Sequence, residues 1–176
     1  MKIIELDQKT YQNYPISYKY TTKFFYDIQI KKKKDITIHI KRKKFRRKIE
    51  KSFDSELFEH YVQEPICFGI FEKKQLVAVI EGGYDAWNQR FRIYEFLVDP
   101  RYRRMGYGKA LFEHITTYAK EKGARMLILE TQSCNDPAIQ FYFSQDLHFV
   151  GLDTMCYSNN DIDQREVRLE LGKRLI

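Results

Sequence analysis

Apolar and polar residues alternate along Tyr26-Asp27-Ile28-Gln29-Ile30 and again along Asp35-Ile36-Thr37-Ile38-His39-Ile40. That period of two predicts two half-buried strands joined by a turn over Lys31 to Lys34. Ser52 to Tyr61 follows as a short helix or loop. Ile66 to Phe71 and Gln75 to Ile80 flank Glu72-Lys73-Lys74, a hairpin feeding a buried sheet. Phe91 to Val98 is the next strand. A regular pleat there puts Phe91, Ile93, Glu95 and Leu97 on one face and Arg92, Tyr94, Phe96 and Val98 on the other. Glu95 then points where its neighbours are apolar.

The period changes over Tyr107 to Lys122, where Leu111, Ile115, Tyr118 and Ala119 stand at helical spacing, Lys120 and Lys122 occupy the last turn and Gly123 is placed to cap it. Arg125 to Thr131 returns as a strand, and the intervening helix makes a parallel crossover the natural connection. Asn135-Asp136-Pro137 supplies an N-cap followed by proline at the first helical position, opening a short helix through about Gln145. Phe149 to Tyr157 and Glu166 to Leu171 close the chain as two strands, antiparallel across the Ser158 to Gln164 turn. The order of elements predicts an α/β (mixed α+β) fold: a mixed, mostly antiparallel sheet flanked by helices.

A chain of 176 residues is most economically one domain with a substantial core. Its longest aliphatic stretches, such as Met126 to Leu129, fall far short of the roughly 20 apolar residues of a membrane span. Met1-Lys2-Ile3-Ile4-Glu5 lacks the apolar core of a signal peptide. A soluble, cytoplasmic protein is expected. Cys67, Cys134 and Cys156 are odd in number and widely spaced, which suits free thiols, and the four histidines have no metal-binding company, so no metal is expected.

The net charge is +7, yet residues 31 to 48 hold eleven Lys and Arg against Asp35, a local +10 that leaves the remainder at −3. Such a segment suits a nucleic-acid patch, or a solvated hairpin whose lysines discourage edge-to-edge association. The second reading is favoured, because no aromatic interleaving or nucleic-acid motif accompanies the charge.

The chemistry concentrates in Val98-Asp99-Pro100-Arg101-Tyr102-Arg103-Arg104-Met105-Gly106-Tyr107-Gly108-Lys109-Ala110, between a strand and a helix. The glycines let main chain approach a phosphate, the first helical turn adds unpaired N–H groups, and Arg103, Arg104 and Lys109 add charge. A P-loop needs glycine at Arg103 and Ser or Thr at Ala110, and a dinucleotide fingerprint needs glycine at Leu111. What fits is Arg-x-x-Gly-x-Gly, Arg103 to Gly108. In this the chain resembles the GCN5-related N-acetyltransferase superfamily, whose pyrophosphate loop for acetyl-coenzyme A has this form.

Asn135-Asp136-Pro137-Ala138-Ile139-Gln140-Phe141-Tyr142 and Leu147-His148-Phe149 extend the likeness to the superfamily pattern Asn-x-x-Ala-x-x-x-Tyr followed by Gly-Phe, with His148 in place of the glycine. Trp87-Asn88, Leu129-Glu130-Thr131-Gln132 and Gly151-Leu152-Asp153 followed by Tyr157 are similar to the streptothricin acetyltransferase branch. The resemblance covers residues 66 to 157 well, 24 to 62 loosely and the first twenty not at all. It implies a GNAT-type twisted sheet with a splayed central strand pair. It also implies a variable part over residues 1–63, with the basic hairpin at about 24–48, and an acetyl-CoA-binding core over 64–176.

Acetyl transfer needs a neutral amine, yet an amine of pKa about 10.4 is unprotonated in only about one molecule in 2,500 at pH 7. The resemblance assigns the base to the acid on the central strand, Glu95, whose burial would raise its pKa; a structural pairing with a neighbouring Arg is the alternative. Glu81 and Asp85 stand in reserve. Tyr142 matches the tyrosine that protonates or hydrogen-bonds the departing thiolate, or else is an ordinary core aromatic. A main-chain N–H at Leu97 or Val98 would meet the carbonyl oxygen, freed by a bulge or by splaying of the strand. The coenzyme would lie along Arg103, Arg104, Met105, Gly106, Tyr107, Gly108 and Lys109, with Asn135 and Ala138 touching its arm, unless Asn135 serves only as a cap. Cys134 is discounted as a nucleophile because no histidine is placed to activate it.

Glu81, Tyr84, Asp85, Trp87, Glu130 and Asp153 are the candidates for holding a cationic acceptor by charge and cation–π contact. The expected activity is acetyl-CoA-dependent N-acetylation by direct attack in a ternary complex, with the β-lysine amine of streptothricin as favoured acceptor. Another small amine, a polyamine, a protein N-terminus, or a non-catalytic acetyl-CoA or nucleic-acid binding role are the alternatives. The partner expected is a small-molecule amine, nucleic acid is the disfavoured alternative, no membrane is expected, and a homodimer is left open.

Overall fold

The computed structural model describes all 176 residues. Its elements in chain order are β1 (Ile3–Glu5), α1 (Gln8–Tyr11), β2 (Pro15–Lys32), β3 (Ile36–Glu56), β4 (Ile66–Glu72), β5 (Gln75–Asp85), β6 (Arg90–Val98), α2 (Tyr107–Glu121), β7 (Met126–Gln132), α3 (Asp136–Ser144), β8 (His148–Asp153), α4 (Asp161–Gln164) and β9 (Arg168–Arg174). The chain gathers into two compact units, one of residues 1–19, 52–129 and 172–176, the other of 20–51 and 130–171.

In the first unit the strands hydrogen-bond in the order β1-β4-β5-β6-β7. Pairing is antiparallel from β1 to β6 and parallel from β6 to β7, where α2 makes the crossover. The helix buries the apolar stripe Leu111, Phe112, Ile115 and Ala119. It ends as expected: Gly123 sits at φ +78°, its N–H donates to Lys120 O, and Ala124 N–H reaches back to Ala119 O. Phe68 and Phe91 meet its Tyr118 edge-on. Cys67, next to Phe68, faces the other way, into a core of Leu6, Ile16, Leu57, Phe58 and Val79 with Tyr11, Tyr18 and Leu97 against it. Each large aliphatic side chain buried there contributes about 1.5–3 kcal/mol. Leu6, Tyr11, Ile16 and Tyr18, from a segment outside the family resemblance, therefore help close this second face of the sheet.

One register shift changes which way the central strand points. Glu81 pairs with Glu95, but Gly82 pairs with Ile93, so Tyr94 is an extra residue on β6. Phe91 packs on Tyr118 and Phe96 packs on Phe112, both on α2, although they stand five positions apart. The regular pleat expected from the sequence is thus broken. Phe91 faces α2, whereas Glu95 and Leu97 lie on the opposite face with Tyr18.

Strand lengths differ from the sequence expectation for a related reason. The Ser52–Tyr61 stretch, expected as helix or loop, continues β3 to Glu56, because Ser17 Oγ donates to Asp54 Oδ1 (2.6 Å) and Leu57 N–H to Tyr14 O (3.0 Å). The partner strand, not the local pattern, extends it.

In the second unit, residues of β2 and β3 form a two-stranded ribbon, and α3 and the β9–β8 pair complete the unit. Phe25 and Phe45 meet at 4.5 Å, and Lys43 Nζ lies 2.6 Å from buried Asp27. Ser158 to Gln164, expected as a turn, contains the single-turn helix α4. The Glu166 N–H donates back to Asp161 O (2.8 Å), so the last strand starts later than expected, at Arg168. No helix of the chain is long and apolar enough to cross a membrane.

Candidate active site

Three residues stand in one row across the sheet of the first unit: Cys67 pairs with Glu81, and Glu81 with Glu95. All three are buried, under the cover provided by Leu57 and Phe58. Glu95 accepts hydrogen bonds on both oxygens, from the Tyr18 hydroxyl and from Ser55 Oγ (2.7 Å). The Tyr18 oxygen in turn accepts from the Phe96 N–H at 3.1 Å, which directs its own proton to the carboxylate. Glu81 Oε2 accepts from the Phe58 N–H (2.8 Å), while Oε1 has no hydrogen-bond partner. Burial, reinforced by the charges of Glu95 and Glu59, pushes the Glu81 carboxyl up to about 7 against the pull of that N–H. The Cys67 thiol is pushed up by burial and then by the same two acids, Glu81 and Glu95.

β6 pairs with β7 only from Arg90↔Met126 to Ile93↔Leu129, whereas its pairing with β5 continues to Val98. Asp99 N–H donates to Val77 O on the β5 side, so alternation turns the Phe96 and Val98 N–H groups to the opposite edge.

Beyond Val98 a one-turn 3₁₀ helix, Pro100–Tyr102, is capped by Asp99, whose side chain accepts from the Arg101 N–H. Arg104 (φ +63°) and Gly106 (φ +87°) both take left-handed backbone, and α2 begins at Tyr107 with Ala110 N–H on Gly106 O. No main-chain N–H from Arg103 to Lys109 donates to a protein acceptor. Two left-handed residues just ahead of a helix N-terminus, with the N–H groups around them unbonded, leave a turn of donors suited to an anion. A Cβ on Gly106 would meet nothing within 4 Å, so the approach is open. Arg103 uses its guanidinium on Val98 O (3.1 Å) and Lys19 O (2.8 Å), bracing the loop; Arg104, Met105 and Lys109 are exposed. The Tyr107 hydroxyl donates to Glu72 Oε1 (2.6 Å).

Tyr84 and Asp85 are half-buried at the end of β5, and Trp87 is 88% exposed. The second unit carries the remaining sequence candidates. Asn135 caps α3 through the Ala138 N–H (3.4 Å), and Tyr142 is buried on the same helix. Glu130 is bound to Arg168 at 2.6 Å, and exposed Asp153 accepts from the Met155 N–H. Burial pushes the Cys134 thiol up, which disfavours the thiolate, and the Tyr20 hydroxyl lies 3.4 Å from its sulfur.

Tyr18, Ser55 and the Phe58 N–H were missed by the sequence reading. They approach their partners across 77, 40 and 23 residues, and no local motif marks them.

The pattern of the acetyltransferase (GNAT) family matches residues 34–149, about two thirds of the chain. This chain belongs to the GNAT acetyltransferase family. This GNAT chain is 42% identical over 74 residues to a streptothricin acetyltransferase of Streptomyces lavendulae; the match spans 42% of this chain and 39% of that relative. Among solved structures it is similar to nourseothricin acetyltransferase (TM-score 0.79, 21% identity, 99% of this chain and 98% of that one). A streptothricin acetyltransferase candidate from Bacillus anthracis str. Ames, in complex with acetyl coenzyme A, gives a TM-score of 0.71 at 20% identity, covering 98% of each chain. At those identities the likeness establishes the fold: the mixed, mostly antiparallel sheet flanked by helices expected from the sequence.

Proposed function

We propose that this GNAT chain is an acetyl-coenzyme A-dependent N-acetyltransferase acting on a primary amine of a small cationic acceptor, with the β-lysine amine of streptothricin as the favoured substrate. The observation that carries the proposal is the run of unbonded N–H groups from Arg103 to Lys109, which fits a diphosphate. Acetyl-coenzyme A would supply the thioester acetyl group.

The residues then take the following roles. Main chain at Met105, Gly106, Tyr107 and Gly108 grips the diphosphate, Arg103 braces the loop, and Arg104 and Lys109 add charge. Asn135 and Ala138 touch the coenzyme arm. Glu95, held by two hydroxyl donors, accepts the proton of the incoming ammonium, directly or through water. Of the two expected oxyanion donors, strand alternation favours the Val98 N–H over that of Leu97. Tyr142 gives a proton to the departing thiolate. Tyr84, Asp85, Trp87, Glu130 and Asp153 are the acceptor contacts, whereas the deep burial of Glu81 suits a role behind Glu95.

The 42% identity to a streptothricin acetyltransferase supports the acceptor choice. Coenzyme A release measured with streptothricin, spermine and a peptide amine tests it. Turnover with streptothricin and none with the others is expected. Turnover confined to spermine or the peptide would replace the acceptor, and no turnover with any amine would remove the activity.

A further inference from the structure

The ribbon formed by residues 20–51 carries a charge that the proposed acetyl transfer does not use. Of its eleven cations between Lys31 and Lys48, Arg42 is bound to Asp136 (2.7 Å) and Lys43 to Asp27 (2.6 Å). The other nine, Lys31 to Lys34, Lys41, Lys44 and Arg46 to Lys48, are exposed and have no carboxylate partner. Every residue from Gln29 to His39 is exposed, so the outer end of the ribbon is bare on both faces. A solvated edge needs only a few lysines to discourage pairing. Nine unneutralised cations on two strands are a standing field that a polyanion would relieve.

We infer that this ribbon is a docking surface for double-stranded nucleic acid. From Ile36 to Lys48 it extends about 40 Å at 3.3 Å per residue, a little more than one helical turn of duplex. A two-stranded ribbon fits a major groove about 12 Å wide. Ile30, Ile36 and Ile38 flank the lysine turn, with Ile36 69% exposed, and offer apolar contact to bases beside the phosphate-facing cations. The distribution argues against an anionic membrane. A bilayer touching the tip would meet the four turn lysines and three isoleucines and leave the cations farther along β3 unused, whereas a rod-like duplex lying along the ribbon meets both sets.

Anisotropy of a labelled duplex about three helical turns long, titrated with the whole chain, tests this. Binding should weaken about 10³–10⁵-fold between roughly 50 and 200 mM salt, the mark of about six to ten neutralised phosphates. The combined Lys31→Gln, Lys32→Gln, Lys33→Gln and Lys34→Gln variant should bind at least about tenfold more weakly with a shallower salt dependence. A Lys120→Gln, Lys122→Gln variant, equal in kind but at the C-terminal end of α2, should bind as the parent does. Circular dichroism melts of both variants confirm that the fold is retained. No binding at the lower salt, parental affinity in the fourfold variant, or capture by phosphatidylglycerol vesicles with the duplex ignored would overturn the assignment.

Discussion

Glu81 on β5 and Glu95 on β6 stand directly opposite each other, and the protein treats them differently: hydroxyl donors hold both oxygens of Glu95, while one oxygen of Glu81 has none. Burial first, and the Glu95 charge after it, favour the protonated form of Glu81, whose carboxyl is pushed up to about 7.

The burial of Glu81, reinforced by the Glu95 charge, makes stability fall with rising pH. The Glu81 carboxyl titrates near 4.5 in an unfolded chain and about 7 when folded, so between those values the folded state binds more protons. The stabilising contribution is complete below 4.5, declines as pH rises and is gone above about 7. Glu81→Gln, which cannot ionise, should gain on the order of 3 kcal/mol over the parent at pH 8 and little at pH 4. Urea unfolding at both pH values checks it; an equal difference at the two pH values would rule out the linkage.

Replacing Glu95 by Gln or Tyr142 by Phe tests the proposed proton transfers. Each change should lower kcat by about 10²–10⁴ while leaving coenzyme affinity within a few-fold. Coenzyme A release at saturating acceptor gives the first quantity and calorimetry the second. Undiminished turnover in both variants would discard these roles.

Tyr18→Phe removes the donor to Glu95 and the acceptor for the Phe96 N–H together. A loss of about 1–3 kcal/mol in stability is expected, because two buried groups lose a partner. We also expect a fall in kcat smaller than that of Glu95→Gln, since the carboxylate persists but is less well oriented. Parental kcat in Tyr18→Phe would show that this orientation is irrelevant to turnover.

Gly106 and Gly123 form a matched pair for testing the loop. Both have positive φ and open space at Cβ, so alanine at either should cost about 1–2 kcal/mol through backbone strain. Only Gly106→Ala should weaken coenzyme A binding, since its methyl group enters the space the diphosphate would occupy. Calorimetry that finds the two variants equal in affinity would remove the loop from the proposed site.

The parts of this protein legible in its sequence are those whose causes are local. The stripe Leu111, Ile115 and Ala119, the Gly123 cap, the Asn135-Asp136-Pro137 helix start and the glycine turn before α2 depend on residues within a few positions of one another, and each stands where the pattern put it. Strand faces and lengths depend on a partner elsewhere in the chain. The extra residue at Tyr94 that turns Glu95 away from α2, the extension of β3 through Ser52–Glu56, and the reach of Tyr18, Ser55 and Phe58 to the two acids were decided by register and packing. A shift of one residue leaves the alternation on either side unchanged and reverses the face that follows. The order of residues therefore determined which groups are present, and tertiary structure alone decided which of them meet.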